Sequence, residues 1–212
     1  MRRHVFEIGG FYHIYAHGVG SDPIFREPRD YNRGMSLFFC ANGSKPIPRF
    51  GNDSLGPSLA WEIRDCKIEI GLPLVDVICF SLMPTHFHLL LREKRVGGIS
   101  SFMHKVATSY AKYYNIRYDR RGHVFESTFQ SKFIDDNRYL LYVSRYIHRN
   151  PEKLSDKRDW QDYNWSSYQD FVGQNRWGHL LDRVPVLSQF SSKEEYQDYV
   201  ELSLGEEYPV IG

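Results

Sequence analysis

Two histidines flank a single phenylalanine in the stretch MPTHFHLLL, and this pair is the first feature of the sequence that could do chemistry. The stretch is apolar and predicts a strand that begins at His86. Because alternate side chains of a strand share a face, His86 and His88 lie together on one face and Phe87 on the other. Neutral imidazole nitrogens bind divalent transition metals, often together with carboxamide or carboxylate oxygens. The spacing alone fits two half-buried structural histidines as well as it fits two metal ligands.

A second group with chemical potential lies on the predicted helix NRYLLYVSRYIHRN, residues 137–150. Tyr146 and Asn150 are four residues apart, so they share one face of this helix. Asn150 offers a carboxamide oxygen to a metal ion, and the phenol of Tyr146 can act as a nucleophile towards phosphorus. Two plainer interpretations remain open: an aromatic packing stripe that includes Tyr146, and an ordinary helix C-cap at Asn150 before Pro151.

The pattern of apolar residues along the chain predicts an α+β fold. The predicted elements are a strand at 11–20, a helix at 26–43, strands at 74–82 and 86–93, a helix at 97–115, a strand at 131–136 and a helix at 137–150. Residues 44–58 have the composition of a loop, and residues 59–71 fit either a short helix or a strand. The first six elements match the ferredoxin-like (split βαβ) arrangement, an antiparallel sheet with helices on one face. The opposite face of the sheet is left for function or for a cover.

Charge is unevenly distributed although the net charge of the 212-residue chain is only +1. Residues 94–150 carry a net charge of +7 and residues 151–212 a net charge of −6. A basic middle segment can bind phosphates locally, although two solvated faces of opposite sign would give the same counts. The three cysteines have no paired or metal-type spacing, which favours a reducing cytoplasm. The sequence lacks a long apolar stretch and a secretory signal, so we expect no membrane partner.

Several motifs in a fixed order resemble the single-tyrosine HUH transposases, also called IS200-like transposases, and most closely the REP-associated tyrosine transposases. The resemblance covers roughly residues 10–173 and is carried by YHIYAHGV, LMPTHFHLLL, SYAKYYNIRYDRRGHVFESTFQSKFIDD, YIHRNP and YNWSSYQDF. It implies a ferredoxin-like sheet with a separate catalytic helix and a C-terminal extension. Residues 1–150 would form the HUH transposase-like catalytic domain, and residues 151–212 an extension packed on the same domain.

The resemblance also implies an activity. His86, His88 and Asn150 would hold a divalent metal ion, Mg²⁺ or Mn²⁺, and Tyr146 would be the nucleophile of an enzyme that nicks and joins DNA. Its substrate would be single-stranded or hairpin DNA, cut through a covalent 5′-phosphotyrosine. Two departures bear on substrate recognition: Thr85 stands where relatives often have Asn or Asp, and EKLSD follows the NP dipeptide.

Two alternatives to this activity stay open. One is a catalytically inactive or domesticated protein that binds hairpin nucleic acid on the same fold. The other is a metallohydrolase that uses His86 and His88 with water. The resemblance is compatible with both a homodimer and a monomer.

The basic segment supplies the expected DNA contacts, since cations and interleaved aromatic rings suit single strands. The candidate DNA-binding residues are Lys105, Lys112, Arg117, Arg120, Arg121 and Lys132. A solvated helix face followed by a turn is the alternative for this segment. We expect His13 and Tyr15 to pack in the core or at an edge, and the alternative for them is a place on the open sheet face beside His86 and His88. We expect His104 and His148 to lie at the surface. Three aromatic residues should pack the extension on the main domain: Trp160, Trp165 and Tyr168.

Overall fold

A four-stranded antiparallel sheet forms the centre of the protein in the computed structural model, which describes residues 5–47, 57–154 and 160–202. Its strands are β1 (Phe11–His17), β2 (Val75–Met83), β3 (His86–Glu93) and β4 (Gln130–Ile134), in the order β2-β3-β1-β4. The helices are α1 (Pro28–Cys40), α2 (Pro57–Arg64), α3 (Gly98–Arg117), α4 (Asn137–Arg149), α5 (Tyr168–Val172), α6 (Val184–Leu187) and α7 (Lys193–Glu201). None of the helices in the described ranges is long and apolar enough to cross a membrane.

The predicted α+β, ferredoxin-like fold is confirmed by this strand order, which places β1 and β3 in the middle of the sheet. Most predicted elements occur within a few residues of their expected bounds. The first strand is shorter than expected, because the chain turns into a 3-10 helix at Val19–Ser21. The undecided stretch 59–71 contributes to the helix α2. Residues 48–56 of the predicted loop lie outside the described residues.

One face of the sheet is apolar and packs against α1 and α3. The alternation along β3 places Phe87, Leu89 and Leu91 on this face, and all three side chains are buried. Phe38 of α1 packs edge-on against the ring of Phe80 and lies 5.6 Å from that of Phe87. Burial of these large rings is the main source of stability for this layer.

Short connections fix the helices to the strands that precede them. The buried carboxylate of Glu93, the last residue of β3, accepts hydrogen bonds from the backbone N–H groups of Gly98 and Ile99 and so starts α3. After the edge strand β4, Asp136 caps α4 by accepting a hydrogen bond from the N–H of Tyr139 at 2.7 Å. Only two residues, Asp135 and Asp136, separate the end of β4 from the start of α4.

The opposite face of the sheet carries His86 and His88, and α4 packs on it through contacts with β2, β3 and β4. The outer side of α4 is in turn covered by α7. Arg145 and Arg149 of α4 donate hydrogen bonds to the backbone carbonyls of Val200 and Leu202 at the end of α7. Cations are favourable at the carboxyl end of a helix, so these contacts stabilise the α4–α7 pair.

The C-terminal extension runs along the outer edge of β2. The N–H of Leu82 donates to the carbonyl of Trp165 at 2.9 Å, and the N–H of Ser167 donates to the carbonyl of Phe80 at 3.0 Å. Trp165 stacks on Tyr31 of α1 with ring centroids 4.9 Å apart, while Trp160 and Tyr168 are buried. These contacts satisfy backbone groups that an open strand edge would leave exposed.

His148 does not lie at the surface, so that prediction was wrong. Its side chain is fully buried, with Nδ1 2.7 Å from the hydroxyl of Tyr196 and Nε2 2.9 Å from the hydroxyl of Ser167. The period of α4 indicates which residues share its outer side, but residues from 167 to 196 decide whether that side meets solvent. Burial lowers the pKa of His148 to about 3, so the imidazole is neutral in the folded protein at neutral pH.

This buried histidine should make stability depend on pH. An unfolded histidine has a pKa near 6.5, so the unfolded chain binds a proton below that pH while folded His148 stays neutral down to about pH 3. The free energy of unfolding must then fall as the pH drops from 6.5 towards 3. We expect H148Q, which keeps a donor and an acceptor, to lose about 1.4 kcal/mol less than wild type between pH 7.5 and 5.5. Urea denaturation at both pH values, with a chelator present, measures this; equal losses in the two proteins would contradict it.

Candidate active site

Five ring side chains from the two central strands line the second face of the sheet. The antiparallel register sets His17 opposite His86 and Tyr15 opposite His88, with His13 one step further along β1. The rings of His17 and His86 stack at 4.8 Å, and those of His13 and His88 stack at 5.0 Å. The two histidines of β3 are themselves 5.0 Å apart between centroids, with their planes almost perpendicular.

His86 lies at the partly exposed end of this group and bonds through both ring nitrogens. Its Nδ1 is 3.0 Å from the hydroxyl of Thr85, and its Nε2 is 3.2 Å from Oδ1 of Asn150. Asn150 directly follows the last residue of α4, so the contact joins β3 to the end of that helix. The structure thus brings together two of the three predicted metal ligands, which come from residues 64 positions apart in the chain.

His88 is fully buried next to His86 and has one occupied and one free nitrogen. Its Nδ1 lies 2.9 Å from Nε2 of His13. Its Nε2 is buried and has no hydrogen-bond partner among the described residues, and the same holds for Nδ1 of His13. Leaving a buried polar atom unpaired costs on the order of 1–3 kcal/mol, so such atoms call for an explanation.

Tyr146 lies on the inner side of α4, over the histidines. Its ring makes edge-to-face contacts with His88 at 5.4 Å and His13 at 5.9 Å between centroids. The ammonium of Lys153 lies 3.4 Å from the phenol oxygen and 4.8 Å from the ring centroid. Partial burial raises the pKa of Tyr146, and a hydrogen bond with Asn150 opposes this shift. The phenol is therefore protonated at neutral pH unless a positive charge or a base assists it.

The three buried or half-buried imidazoles are neutral at physiological pH. Burial, followed by repulsion from Lys132, lowers the pKa of His13 to about 3. Burial also lowers the pKa of His86 to about 4, with a smaller contribution from His17, and holds the pKa of His88 well below its usual range. Neutral imidazole is the form that coordinates metal ions.

The donor set of this pocket fits a divalent cation. The described residues contain no cluster of three His, Cys, Asp or Glu side chains placed to hold a metal ion. The pocket instead combines two imidazoles with one carboxamide, His86, His88 and Asn150, and the buried Nε2 of His88 is an unused donor atom. Imidazole nitrogens with a carboxamide oxygen suit transition-type divalent ions.

The six predicted DNA-binding cations fall on different parts of the surface. Lys132, opposite His13 on β4, belongs to the face of the histidines and lies 5.0 Å from the ring of Tyr139. Lys105 donates to the carbonyls of Gly43 and Lys45 and so holds the segment after α1.

The other four of these cations lie on α3 or just after it, at the opposite face of the sheet. Arg117 forms an ion pair with Glu27 at 2.5 Å, and Arg120 lies 3.6 Å from Asp22. Lys112 and Arg121 are exposed. A role in DNA binding stays a prediction for all six residues.

Three residues of the pocket were not among the predicted site residues: His13, His17 and Lys153. For His13, packing in the core or at an edge was preferred to the alternative of a place on the open sheet face. The alternation in FYHIYAH places His13, Tyr15 and His17 on one face of a strand, so a signal was present in the sequence. It did not indicate which strand would lie beside them. Lys153 is seven residues after Tyr146 and reaches it through the turn Asn150–Lys153, which the spacing along a helix does not describe.

Comparisons with known proteins identify a family that matches part of the sequence and a solved structure with a similar fold. The family model for IS200-like transposases matches residues 72–150, a range that contains β2, β3, α3, β4, α4 and all four predicted catalytic residues. A solved structure, described as a REP-associated tyrosine transposase bound to a REP hairpin, superimposes with a TM-score of 0.53 at 13% sequence identity. The match covers 81% of this chain and 84% of that chain. No curated protein matches the sequence.

At 13% identity the structural match shows only that the two proteins share a fold. The family match shows that residues 72–150 have the sequence pattern of IS200-like transposases. The resemblance inferred from the motifs is therefore confirmed: residues 72–150 match the IS200-like transposase family, and the chain has the fold of a REP-associated tyrosine transposase.

Proposed function

We propose that this protein is a transposase-like, metal-dependent endonuclease and strand transferase that acts on single-stranded or hairpin DNA. The observation that carries the proposal is the convergence of the Tyr146 phenol with His86, His88 and Asn150 in one half-buried pocket. A phenol over two neutral imidazoles is suited to phosphodiester chemistry. The resemblance to IS200-like transposases and the described hairpin complex of the structural relative support DNA as the substrate.

In the proposed reaction, the phenol oxygen of Tyr146 attacks the scissile phosphorus. A Tyr–O–P bond forms and the bond from phosphorus to the 3′ oxygen breaks. The phenol loses its proton to solvent, and the leaving oxygen takes up one proton from solvent to become a 3′-hydroxyl. The phosphodiester is exchanged for a phosphotyrosine ester, so a later attack by a 3′-hydroxyl can reverse the step and join strands. The reaction needs no ATP.

His86, His88 and Asn150 would hold the divalent cation, Mg²⁺ or Mn²⁺. Such an ion, when bound, polarises the phosphate and offsets the negative charge that develops on its oxygens. The chain contributes the fixed orientation of its donors: Thr85 holds one side of His86, and His13 holds one side of His88. Because these donors are already held in place, they lose little conformational entropy when the ion binds. This favours binding of the ion and alignment of the phosphate.

Lys153 assists the nucleophile in this proposal. Its ammonium is 3.4 Å from the phenol oxygen, close enough to stabilise negative charge as the phenol loses its proton. Burial of Tyr146 raises the pKa of the phenol, so a nearby cation is needed to offset this effect. The same charge would favour the departure of Tyr146 when strands are joined.

The position of Tyr146 supports cleavage in cis. Its ring contacts His88 of the same chain, and α4 is held on its own sheet by the contacts of Arg145, His148 and Arg149 with the C-terminal extension. A monomer thus contains a complete pocket, and assembly into a homodimer is not required for the first cut.

The DNA strand would cross the face of the sheet near β4. Lys132 of β4 and the exposed Lys153 next to Tyr146 both lie at the pocket, and the half-buried ring of Tyr142 stacks at 6.2 Å on the buried ring of Tyr139. Cations that contact phosphates next to aromatic rings that can stack on bases suit an unpaired strand. Lys112 and Arg121 are exposed on the far side of the sheet and would serve a second, hairpin-contacting surface.

Formation of a covalent protein–DNA adduct tests the proposed function. Wild-type protein with Mn²⁺ and labelled hairpin DNA, including the DNA that flanks its own gene, should give a shifted band on a denaturing gel. Y146F and the double variant H86A/H88A should give none. The matched control is Y142F, one turn earlier on α4, which should still form the adduct.

Two results would contradict the mechanism. Binding of hairpins by wild type without any adduct across a broad oligonucleotide pool would favour the inactive, hairpin-binding alternative. Cleavage that survives in Y146F would identify water as the nucleophile and favour the metallohydrolase.

Replacement of Lys153 tests its contact with the phenol. We expect K153M to slow adduct formation by about tenfold or more, since a charge at this distance near a protein surface is worth on the order of 1–4 kcal/mol. The pH optimum of the rate should move upwards, because the phenol ionises less readily without the cation. K153R keeps the charge and should retain most of the rate. Single-turnover rates of adduct formation across pH measure both effects; an unchanged rate and pH profile in K153M would show that Lys153 has no such role.

A further inference from the structure

His13 and His88 form a buried imidazole pair directly beneath Tyr146. Both side chains are fully buried, and Nε2 of His13 lies 2.9 Å from Nδ1 of His88. Tyr15 stacks against His13 with centroids 5.1 Å apart, which helps to fix the plane of that ring. The pair leaves two nitrogens without partners among the described residues: Nδ1 of His13 and Nε2 of His88.

The shared hydrogen bond couples the positions of the two protons. A neutral imidazole carries one N–H, so only one ring of the pair can donate. If His13 donates from Nε2, His88 must carry its own proton on Nε2, and that nitrogen has no free lone pair. If His88 donates from Nδ1, its Nε2 carries no proton and has a free lone pair. Only the second arrangement allows His88 to coordinate a cation.

We propose that His13 is a positioning residue that accepts the Nδ1–H of His88 and thereby holds His88 in the tautomer that presents a bare Nε2 to a divalent cation. The inference rests on the proposed function, because it assigns His13 a purpose only if His88 is a ligand. Histidines that bind metals usually donate their other ring N–H to an acceptor, which fixes both the tautomer and the ring orientation. A neutral imidazole is an unusual acceptor for this purpose, and here its full burial prevents water from taking its place.

The tautomer of His88 is directly measurable by long-range ¹H–¹⁵N correlation spectra of the imidazoles, assigned with H88Q. In metal-free wild type, His88 should carry its proton on Nδ1. H13Q places a carbonyl oxygen at about the position of the His13 Nε2 and should keep that tautomer. H13L fills the space without an acceptor, so His88 should shift towards the Nε2–H form.

Mn²⁺ affinity, measured by calorimetry, is the second readout and does not depend on DNA cleavage. H13L should weaken Mn²⁺ binding by about 10- to 100-fold, the usual effect of losing a group that orients a ligand. H13Q should stay close to wild type. H104Q, a change of histidine to glutamine at an exposed position of α3, is the matched control and should leave the affinity unchanged.

Different results would overturn the role of His13 and the metal site on which that role depends. A proton on Nε2 of His88 in the metal-free wild type, or an unchanged His88 tautomer and Mn²⁺ affinity in folded H13L, would overturn the role of His13 while leaving the metal site intact. Absence of Mn²⁺ binding in wild type would overturn the metal site itself, and with it the purpose assigned to His13. If H13L does not fold, the wild-type tautomer and the affinity of H13Q still decide the question.

Discussion

The antiparallel register between β1 and β3 is the constraint on which the whole site depends. It places His17 beside His86, and His13 within hydrogen-bond distance of His88, so the four imidazoles form one continuous group. A shift of one residue would turn every side chain of a strand to the other face. The alternation that buries Ile14 and Leu89 under α1 and α3 therefore also fixes the chemistry of the opposite face.

The second requirement is that α4 stays on this face. Its amphipathic pattern gives an inner side that carries Tyr146 and an outer side that carries His148, Arg145 and Arg149. The outer side is fixed by hydrogen bonds to Tyr196, to Ser167 and to the end of α7. The C-terminal extension thus helps to hold α4, and with it the proposed nucleophile Tyr146, on this face of the sheet. Within the described residues, the acidic C-terminal extension covers the edge of β2 and the outer side of α4.

Local sequence patterns were sufficient to predict many of the strands and helices and part of the candidate site. Period-two alternation predicted β3 and the shared face of His86 and His88, and the helical period predicted that Tyr146 and Asn150 lie together. Contacts between segments that are far apart in the sequence could not be predicted from such local patterns. The pairing of His13 with His88 depends on strand register, and the burial of His148 depends on residues about 20 to 50 positions later. The bonds of Lys105 to Gly43 and of Arg117 to Glu27 likewise came from tertiary packing, which a charge count does not reveal.

The central claim is that the pocket beneath Tyr146 holds one divalent cation between the histidines of β3 and the end of α4. Anomalous diffraction from crystals soaked in Mn²⁺ tests it most directly. We expect a single strong anomalous peak within coordination distance of His86, of Nε2 of His88 and of the Asn150 carboxamide oxygen. Crystals with saturating Mn²⁺ that show no peak at the histidine pair, or a peak only elsewhere on the surface, would contradict it.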